Sequence, residues 1–309
     1  MARARPSIEE ARRALIVKPS SLGDVVHALP IPGLLKMANP DLRIAWVANP
    51  EWAPLVAGHP HVDEVIEFPR RAMRGLAAPA RFWRWAKSAL RAGGAPDLCL
   101  DLQCLFRSAL IAKASGARWI GGLSDAREGA GLFYDASADV AGIAHAVDRY
   151  LAAPRQLLGI DFSAADVAFP LGEGEPVTPA PPDGFVLLHP FSRGGGKSLD
   201  PAAAAAYCGA LAPRPVAVVG RFDAPCPLPG NAIDLLNQTS LAQLIWLARR
   251  AAFTISVDSG PLHIAAAAAA AHARAAYMVG SAEGRPVCQS RVGLEGRRVS
   301  AGRRAARRS

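Results

Sequence analysis

Three short segments contain residues whose types and spacing could do chemistry on an anionic ligand. The first, KPSSLGD at residues 18–24, ends in Asp24 after two serines and a glycine. Its backbone N–H groups, at the start of a predicted helix, favour an anion nearby. The Asp24 carboxylate has two interpretations: it caps the helix by accepting a backbone N–H, or it acts as a general base towards a hydroxyl group.

The second segment, FSRGGGKS at residues 191–198, follows a predicted strand and precedes a predicted helix. The P-loop pattern GxxxxGK[ST] requires glycine where Phe191 stands, so a Walker nucleotide site is not indicated. A glycine-rich loop with one lysine, Lys197, still lets backbone N–H groups and an ammonium approach a diphosphate. The alternative is a flexible surface turn.

The third segment is DSGPLH at residues 258–263, where a buried strand is expected to end. Asp258 and Ser259 offer helix caps, and Gly260 permits a close approach of the backbone to a ligand. Pro261 suits the first helical position, which places His263 in the first turn. A diphosphate there would gain the helix dipole and several donors; the alternative is ordinary capping of a buried helix.

Asp101 and Gln103 close another predicted strand, so both polar side chains are expected at the ligand-binding edge of a sheet. The histidines, cysteines and carboxylates show no metal-ligand spacing, and no metal is predicted. The five cysteines are scattered without a CxxC pair, which favours neither a disulfide framework nor a zinc site.

Alternating strand and helix signals determine where these segments lie. Strands separated by helical patterns are predicted at residues 14–17, 43–47, 62–68, 98–102, 185–188, 216–219 and 253–257. This alternation predicts parallel sheets covered by helices. Residues 173–183 (EGEPVTPAPPD) contain four prolines in eleven residues and indicate a linker. The predicted fold is α/β, with two Rossmann-like domains facing a cleft, where ligands sit beyond the carboxyl ends of the strands.

Length and composition agree with two soluble domains. The chain has 309 residues, 51% of them hydrophobic and 20% charged, whereas a domain averages about 150 residues. No apolar run reaches the roughly 18 residues that span a bilayer. The apolar residues 14–17 are too few for a secretory signal, so a cytoplasmic location is expected. Of the net charge of +9, +6 falls in residues 281–309, which contain eight arginines.

Taken together, the segments resemble glycosyltransferase family 9, the ADP-heptose:lipopolysaccharide heptosyltransferases. The matching text is LIVKPSSLGDVVHALP (15–30), HP (59–60), VDEVI (62–66), DLQ (101–103) with Arg107 and Ser108, AREGA (126–130), FY (133–134), HAVDRY (145–150), and residues 192–198 and 258–263. The resemblance runs from about residue 14 to about residue 265.

This resemblance implies a GT-B type fold and metal-independent, inverting transfer of heptose from ADP-heptose to inner-core lipopolysaccharide. It implies that Asp24 deprotonates the acceptor hydroxyl, that Ser192 and Lys197 hold the donor diphosphate, and that the N-terminal domain (1–172) binds the acceptor. The nucleotide-sugar domain (184–280) would add Asp223, the weakest match, and Asp258, Ser259, Gly260 and His263; the acceptor residues would be Ser20, Ser21, Gly23, Asp101, Gln103 and Arg127.

The expected partners follow from the same resemblance. They are an ADP-sugar donor and a lipid A–Kdo type acceptor at the inner face of the inner membrane, with no cofactor, metal or nucleic acid. A cation at Arg127 suits an acceptor that carries carboxylates or phosphates. The chain is expected to be a monomer.

The C-terminus departs from the family after Ile264. Codons exist for the stretch from Ala276 that, read one base later, give His-Thr-Trp-Ser-Asp-Arg-Arg-Lys-Val-Gly-Pro-Tyr, the kind of text that the family carries there. One hypothesis is therefore a frameshift between about residues 265 and 276; the other is a divergent, disordered Arg-rich tail over residues 281–309. Two functional alternatives stay open: a degenerate, inactive member that only binds nucleotide, and transfer of a different sugar.

Overall fold

Six strands form the sheet of the first half of the chain. In the computed structural model, which describes residues 4–192, 198–271, 275–279 and 288–291, they are β1 (Arg13–Val17), β2 (Arg43–Ala48), β3 (Glu64–Glu67), β4 (Leu98–Asp101), β5 (Trp119–Leu123) and β6 (Ala136–Ala138). All are parallel, in the order β3-β2-β1-β4-β5-β6. β1 is buried along its whole length, as expected of a parallel strand covered on both faces.

Helices connect these strands. They are α1 (Leu22–Ala28), α2 (Pro30–Ala38), α3 (Ala53–Val56), α4 (Ala78–Trp85), α5 (Phe106–Ala114) and α6 (Ala146–Ala152). The predicted helix after residue 24 is split in two because Pro30, at the first position of α2, cannot donate a backbone hydrogen bond to α1. α4 and α6 each run on into a wider turn, at Ala86–Leu90 and Ala153–Leu157.

The second sheet also has six strands. They are β7 (Val186–His189), β8 (Val216–Gly220), β9 (Ala232–Leu236), β10 (Phe253–Val257), β11 (Ala275–Val279) and β12 (Cys288–Arg291), with helices α7 (Pro201–Ala210), α8 (Leu241–Arg250) and α9 (Gly260–Ala271). The order is β12-β11-β10-β7-β8-β9, and only β12 is antiparallel, on β11. The prediction of two α/β, Rossmann-like sheets is confirmed.

The chain divides into two compact units, Met1–Gly172 and Glu173–Ser309. The first has a core around Leu15, Val17 and Val47, and the second a core around Val186, Leu188 and Val218. Burying each such side chain stabilises the fold by roughly 1.5–3 kcal/mol. No helix in the described ranges is long and apolar enough to cross a membrane.

The proline-rich segment 173–183 packs against its own unit. The backbone N–H of Glu175 donates to the Ala242 carbonyl of α8 at 3.1 Å, and Arg249 pairs with Glu173 at 2.6 Å. A Cβ on Gly174, whose φ is +73°, would lie 2.4 Å from the same Ala242 oxygen. The start of the predicted linker is therefore docked on α8.

Two sequence predictions fall wholly or partly outside the described residues. Lys197 is not among the described residues, and neither is most of the predicted irregular tail, 281–309. Within that tail, Cys288–Arg291 form the edge strand β12, so these four residues are regular rather than irregular. Their backbone pairs with β11, which gives the edge hydrogen-bond partners.

Candidate active site

The turn between β1 and α1 holds Asp24 by both of its carboxylate oxygens. One oxygen, Oδ2, accepts hydrogen bonds from the Ser21 backbone N–H at 3.2 Å and from the Ser21 hydroxyl at 2.7 Å. The other, Oδ1, accepts from the Tyr150 hydroxyl of α6 at 3.2 Å. Asp24 therefore caps the helix through Oδ2, and Oδ1 takes no part in this capping.

A buried lysine faces this carboxylate. Lys18, directly after β1, is only 2% exposed, and its Nζ lies 5.0 Å from the centroid of the Tyr150 ring. The same Nζ lies 3.5 Å from Gln103 Oε1. Burial lowers the pKa of Lys18, while the charge of Asp24 acts in the opposite direction.

These neighbours set the charge of Asp24. Burial alone would raise its pKa, but Lys18 and the hydrogen bonds from Ser21 and Tyr150 outweigh burial and lower it. Burial, together with the Asp24 charge, raises the pKa of Tyr150, so Tyr150 stays protonated and donates. Asp24 is therefore an ionised carboxylate at neutral pH, held by three donor groups.

Asp24 lines a polar cavity of about 150 Å³. The other polar and charged residues that line this cavity are Lys18, Gln103, Asp125, Arg127, Arg149 and Tyr150. The Arg127 backbone N–H donates to the Cys104 carbonyl at 2.9 Å, which brings this arginine to the cavity from the segment after β5. Arg149 is ion-paired with Asp125. A carboxylate base among cations suits a ligand that has both hydroxyl and anionic groups.

Asp101, predicted to face substrate, is instead fully buried. Its Oδ1 accepts from the backbone N–H groups of Gln103 and Cys104 at 3.0 and 3.1 Å. Its Oδ2 accepts from the hydroxyls of Ser108 and Tyr134, each at 2.8 Å. Burial raises the pKa of Asp101, against the effect of these hydrogen bonds. Asp101 therefore shapes the loop after β4.

Gln103 is the residue that this loop presents. Its Oε1 accepts from the Ser20 backbone N–H at 3.1 Å, which ties the β4 loop to the β1–α1 turn. Gln103 also lines a smaller cavity of about 80 Å³ together with Ser20, Asn49 and Arg70. Asn49 is 2% exposed, and its Oδ1 has no hydrogen-bond partner among the residues that the structure describes.

Two glycines in β5 make room for aromatic rings. A Cβ on Gly122 would lie 2.1 Å from that ring, and a Cβ on Gly121 would lie 2.5 Å from the ring of Trp119. Two adjacent glycines are unfavourable in a strand, which is why β5 is not predicted from the sequence. The lack of a side chain on Gly122 lets Tyr134 reach Asp101.

In the second unit, the predicted residues lie at the ends of β7, β8 and β10. Ser259, just before α9, places its hydroxyl 3.3 Å from Nδ1 of His189, the last residue of β7. Burial lowers the pKa of His189 to about 4, so this histidine is neutral at pH 7. His189 is absent from the sequence predictions, although a polar residue at a strand end is a usable signal.

The other residues predicted to bind the sugar-nucleotide donor lie at the start of α9 and after β7 and β8. Gly260 begins α9, and His263 lies in its first turn, with Asp258 directly before Ser259. The Ser192 backbone N–H donates to the Ser198 hydroxyl at 2.9 Å, which closes the base of the glycine-rich segment. Asp223 is exposed after β8, next to Phe222, whose ring stacks on Phe191 with centroids 4.0 Å apart.

The structure brings six of the predicted residues together in the first unit. Asp24, Ser20, Ser21, Gly23, Gln103 and Arg127 lie in or beside the first-unit turn and its cavities. Lys18 and Tyr150 were not assigned a role from the sequence, although a lysine directly after a buried strand signals a needed partner. Among the described residues, no three of His, Cys, Asp and Glu are grouped so as to hold a metal ion.

Comparison with known sequences agrees with the resemblance. The profile described as glycosyltransferase family 9 (heptosyltransferase) matches residues 83–176 and 216–271. Lipopolysaccharide heptosyltransferase 1 of Pseudomonas aeruginosa is 37% identical over 142 residues, 44% of this chain and 40% of that protein. Its Salmonella typhimurium counterpart is 34% identical over 154 residues, 48% of this chain and 49% of that protein. The matches thus span less than half the length of these relatives.

Solved structures show the same fold. E. coli heptosyltransferase WaaC with ADP-2-deoxy-2-fluoro heptose has a TM-score of 0.69 at 22% identity, covering 86% of this chain and 88% of that one. The family 9 glycosyl transferase from Veillonella parvula has a TM-score of 0.70 at 16% identity, covering 90% and 82%. E. coli ADP-heptose lps heptosyltransferase II has a TM-score of 0.64 at 18% identity, covering 87% and 84%. At these identities the similarity concerns the fold.

Proposed function

We propose that this chain, which matches the glycosyltransferase family 9 profile over residues 83–176 and 216–271, transfers heptose from ADP-heptose to the inner core of lipopolysaccharide, with inversion. The observation that supports this best is the ionised Asp24, which lines a polar cavity while Ser21, Tyr150 and Lys18 hold it. A carboxylate placed in this way is suited to accept the proton of an attacking hydroxyl.

The proposed reaction is a single displacement. As the acceptor oxygen bonds to the heptose C1 atom, its proton passes to Asp24. The bond from C1 to the diphosphate oxygen breaks at the same time, and ADP leaves with both bonding electrons. Negative charge therefore grows on the diphosphate, which helix N-terminal N–H groups and an ammonium can stabilise.

Donor binding is assigned to the second unit. We propose that Ser192 and Lys197 hold the diphosphate, and that Asp258, Ser259, Gly260 and His263 complete the nucleotide site with Asp223. The support is that α9 begins at Gly260, so the positive end of its helix dipole lies beside Asp258 and Ser259 and favours an anion there. Neutral His189 keeps the Ser259 hydroxyl beside this helix end.

Acceptor binding is assigned to the first unit. We propose that Ser20, Ser21, Gly23, Gln103 and Arg127 contact a lipid A–Kdo type acceptor, with Asp101 holding Gln103 from behind. The guanidinium of Arg127, at the cavity that Asp24 lines, suits the carboxylates or phosphates of such an acceptor.

We propose that the reaction uses no metal and no cofactor, so that a chelator leaves the rate unchanged. We further propose that the chain acts as a monomer in the cytoplasm, peripherally at the inner face of the inner membrane, and that nucleic acid is not a partner.

The test is release of ADP by the purified chain. ADP-heptose and a lipid A–Kdo acceptor should both be required, and other nucleotide sugars should give much slower release. ADP release with another sugar donor at an equal rate would overturn the choice of heptose. ADP binding without any turnover would instead support the nucleotide-binding alternative. Sequencing the gene downstream of His263 tests the frameshift hypothesis separately, because the alternative frame must encode the family text.

A further inference from the structure

One surface segment of the first unit is strongly basic. Residues 70–91, here called the basic segment, follow β3 and contain no Asp or Glu. Their seven cationic side chains are Arg70, Arg71, Arg74, Arg81, Arg84, Lys87 and Arg91. Since the rest of the chain before residue 281 carries acids and bases in near balance, this charge is local.

The inner face of the basic segment anchors it to the first unit. Trp85 of α4 packs edge-on against Phe68 with ring centroids 5.0 Å apart. Its Nε1 donates to the Glu67 carbonyl at 2.9 Å, and the Phe82 ring lies 5.9 Å from the Trp85 ring. The segment is therefore a fixed part of the domain surface.

The outer face of the same segment is apolar as well as basic. Leu76 is fully exposed and Trp83 is 58% exposed, between exposed Arg74, Arg84 and Lys87. A single exposed apolar residue is ordinary. A tryptophan and a leucine set among cations, however, have the composition of elements that lie in the membrane interface.

We propose that the basic segment docks this protein on a bilayer rich in anionic phospholipid. Leu76 and Trp83 enter the boundary between headgroups and acyl chains, and the surrounding cations pair with lipid phosphates. Phosphates of a nucleic acid would explain the cations but would leave Leu76 without a role, which favours the membrane.

The location of the segment links docking to the acceptor. Its first residue, Arg70, lines the smaller cavity with Ser20 and Gln103, two residues assigned to acceptor binding. This link rests on the proposed function, because it assumes that the acceptor is a membrane lipid. The docking surface itself rests only on exposure and charge.

Vesicle binding tests the docking surface directly. The full chain is sedimented with vesicles of phosphatidylcholine alone or mixed with phosphatidylglycerol. We expect binding to the anionic vesicles only, weakening as salt is added. Equal binding to both vesicle types, or no binding to either, would overturn the proposal.

Two double variants separate the apolar and the charged contributions. Leu76→Ser with Trp83→Ser should lower vesicle affinity roughly tenfold while leaving its salt dependence intact. Arg84→Glu with Lys87→Glu should lower it by at least about tenfold and flatten the salt dependence. Residues 281–309 are present in every variant, so the differences report on the basic segment.

Matched controls lie elsewhere on the first unit. Met37 is another exposed apolar residue, and Met37→Ser should bind vesicles as the parent does. Arg12→Glu with Lys113→Glu changes the net charge equally at exposed positions and should keep most of the affinity. If these controls lose affinity as strongly as the variants in the segment, the surface is not the docking site. The parent chain could instead bind duplex DNA and no vesicles. If Arg84→Glu with Lys87→Glu then abolishes the DNA binding, the basic segment binds nucleic acid.

Turnover distinguishes failure of docking from failure of the proposed function. With a deacylated, water-soluble acceptor, Leu76→Ser with Trp83→Ser should release ADP at the parent rate. With the acceptor embedded in anionic vesicles, the same variant should be several-fold slower. If the parent chain releases no ADP with either acceptor but still binds vesicles, the proposed function fails and the docking surface stands.

Discussion

The two units place similar turns in contrasting electrostatic surroundings. Each has a strand-to-helix turn with a serine and an aspartate, at Ser21–Asp24 in the first and Asp258–Ser259 in the second. Around Asp24 the fold gathers a buried lysine and a tyrosine hydroxyl. Around Ser259 it places a neutral histidine. Similar residue types therefore give an ionised carboxylate beside a buried lysine in one unit and a hydroxyl beside a neutral imidazole in the other.

Replacing Asp24 should have the largest effect, because it removes the ionised carboxylate that distinguishes the first unit from the second. Asp24→Asn keeps an oxygen that can accept from Ser21 but removes the basic carboxylate. We expect kcat to fall roughly 10²–10⁴-fold, with little change in the affinity for ADP. ADP release and ADP binding are measured on the same preparation.

The first unit contains a matched control for this change. Asp166 accepts hydrogen bonds from the N–H and hydroxyl of Ser163, both at 2.7 Å, which is the same capping pattern. Asp166→Asn should leave kcat unchanged. Equal losses in the two variants would mean that capping, and not chemistry, is the role of Asp24.

Filling the space at Gly122 should weaken the first unit alone. In Gly122→Ala, the new Cβ must displace the Tyr134 ring and with it the hydrogen bond to Asp101. We expect the free energy of unfolding to fall by about 1–3 kcal/mol, measured by urea denaturation. Gly131→Ala, whose Cβ would find its nearest neighbour at 3.9 Å, should cost less than about 0.5 kcal/mol. ADP binding should survive both changes.

Removing the Ser259 hydroxyl from the second unit should affect binding of the donor nucleotide and not the proton transfer proposed for Asp24. Ser259→Ala removes a proposed contact, and we expect the Kd for ADP to rise about fivefold, the equivalent of one hydrogen bond. Ser256 also lies against His189 Nδ1, at 3.4 Å, but is buried inside β10. Ser256→Ala should leave the Kd for ADP unchanged. An unchanged Kd in Ser259→Ala would remove this residue from the nucleotide site.

The smallest expected effect is on the pH profile of kcat/KM. Asp24 must be ionised to act, so the rate falls as the pH drops through its lowered pKa. Tyr150→Phe removes a hydrogen bond that lowers this pKa, so the fall should begin at a higher pH than in the parent.

Lys18→Met should shift the same limb in the same direction and further, since Lys18 is the strongest of the groups that lower the pKa of Asp24. Profiles that coincide with that of the parent would exclude Asp24 as the group titrated. By linkage, this network stabilises the folded chain above the ordinary aspartate pKa, and that stabilisation is lost as the pH falls through the lowered value.

Local patterns were enough to predict most strands and helices, and the predictions failed where context decides. The strand β10 was predicted at its observed residues, 253–257, because its apolar run ends at a clear cap. The strands β5, β6, β9 and β11 were not predicted. β5 has Gly121 and Gly122 at positions that packed aromatic rings explain, and β6 has only three residues. β12 lies in a stretch whose arginine content predicts irregular structure.

The sequence by itself determined the alternation of strands and helices, the position of each strand-to-helix turn and the identity of Asp24 as a candidate base, because these depend on residues close together in the chain. Tertiary structure alone decided the surroundings of that base. Tyr150 reaches Asp24 across 126 residues, and Tyr134 reaches Asp101 across 33. Because burial, opposite charge and hydrogen bonding set a carboxylate's protonation, partners this distant determine that Asp24 is half-buried and ionised while Asp101 is fully buried.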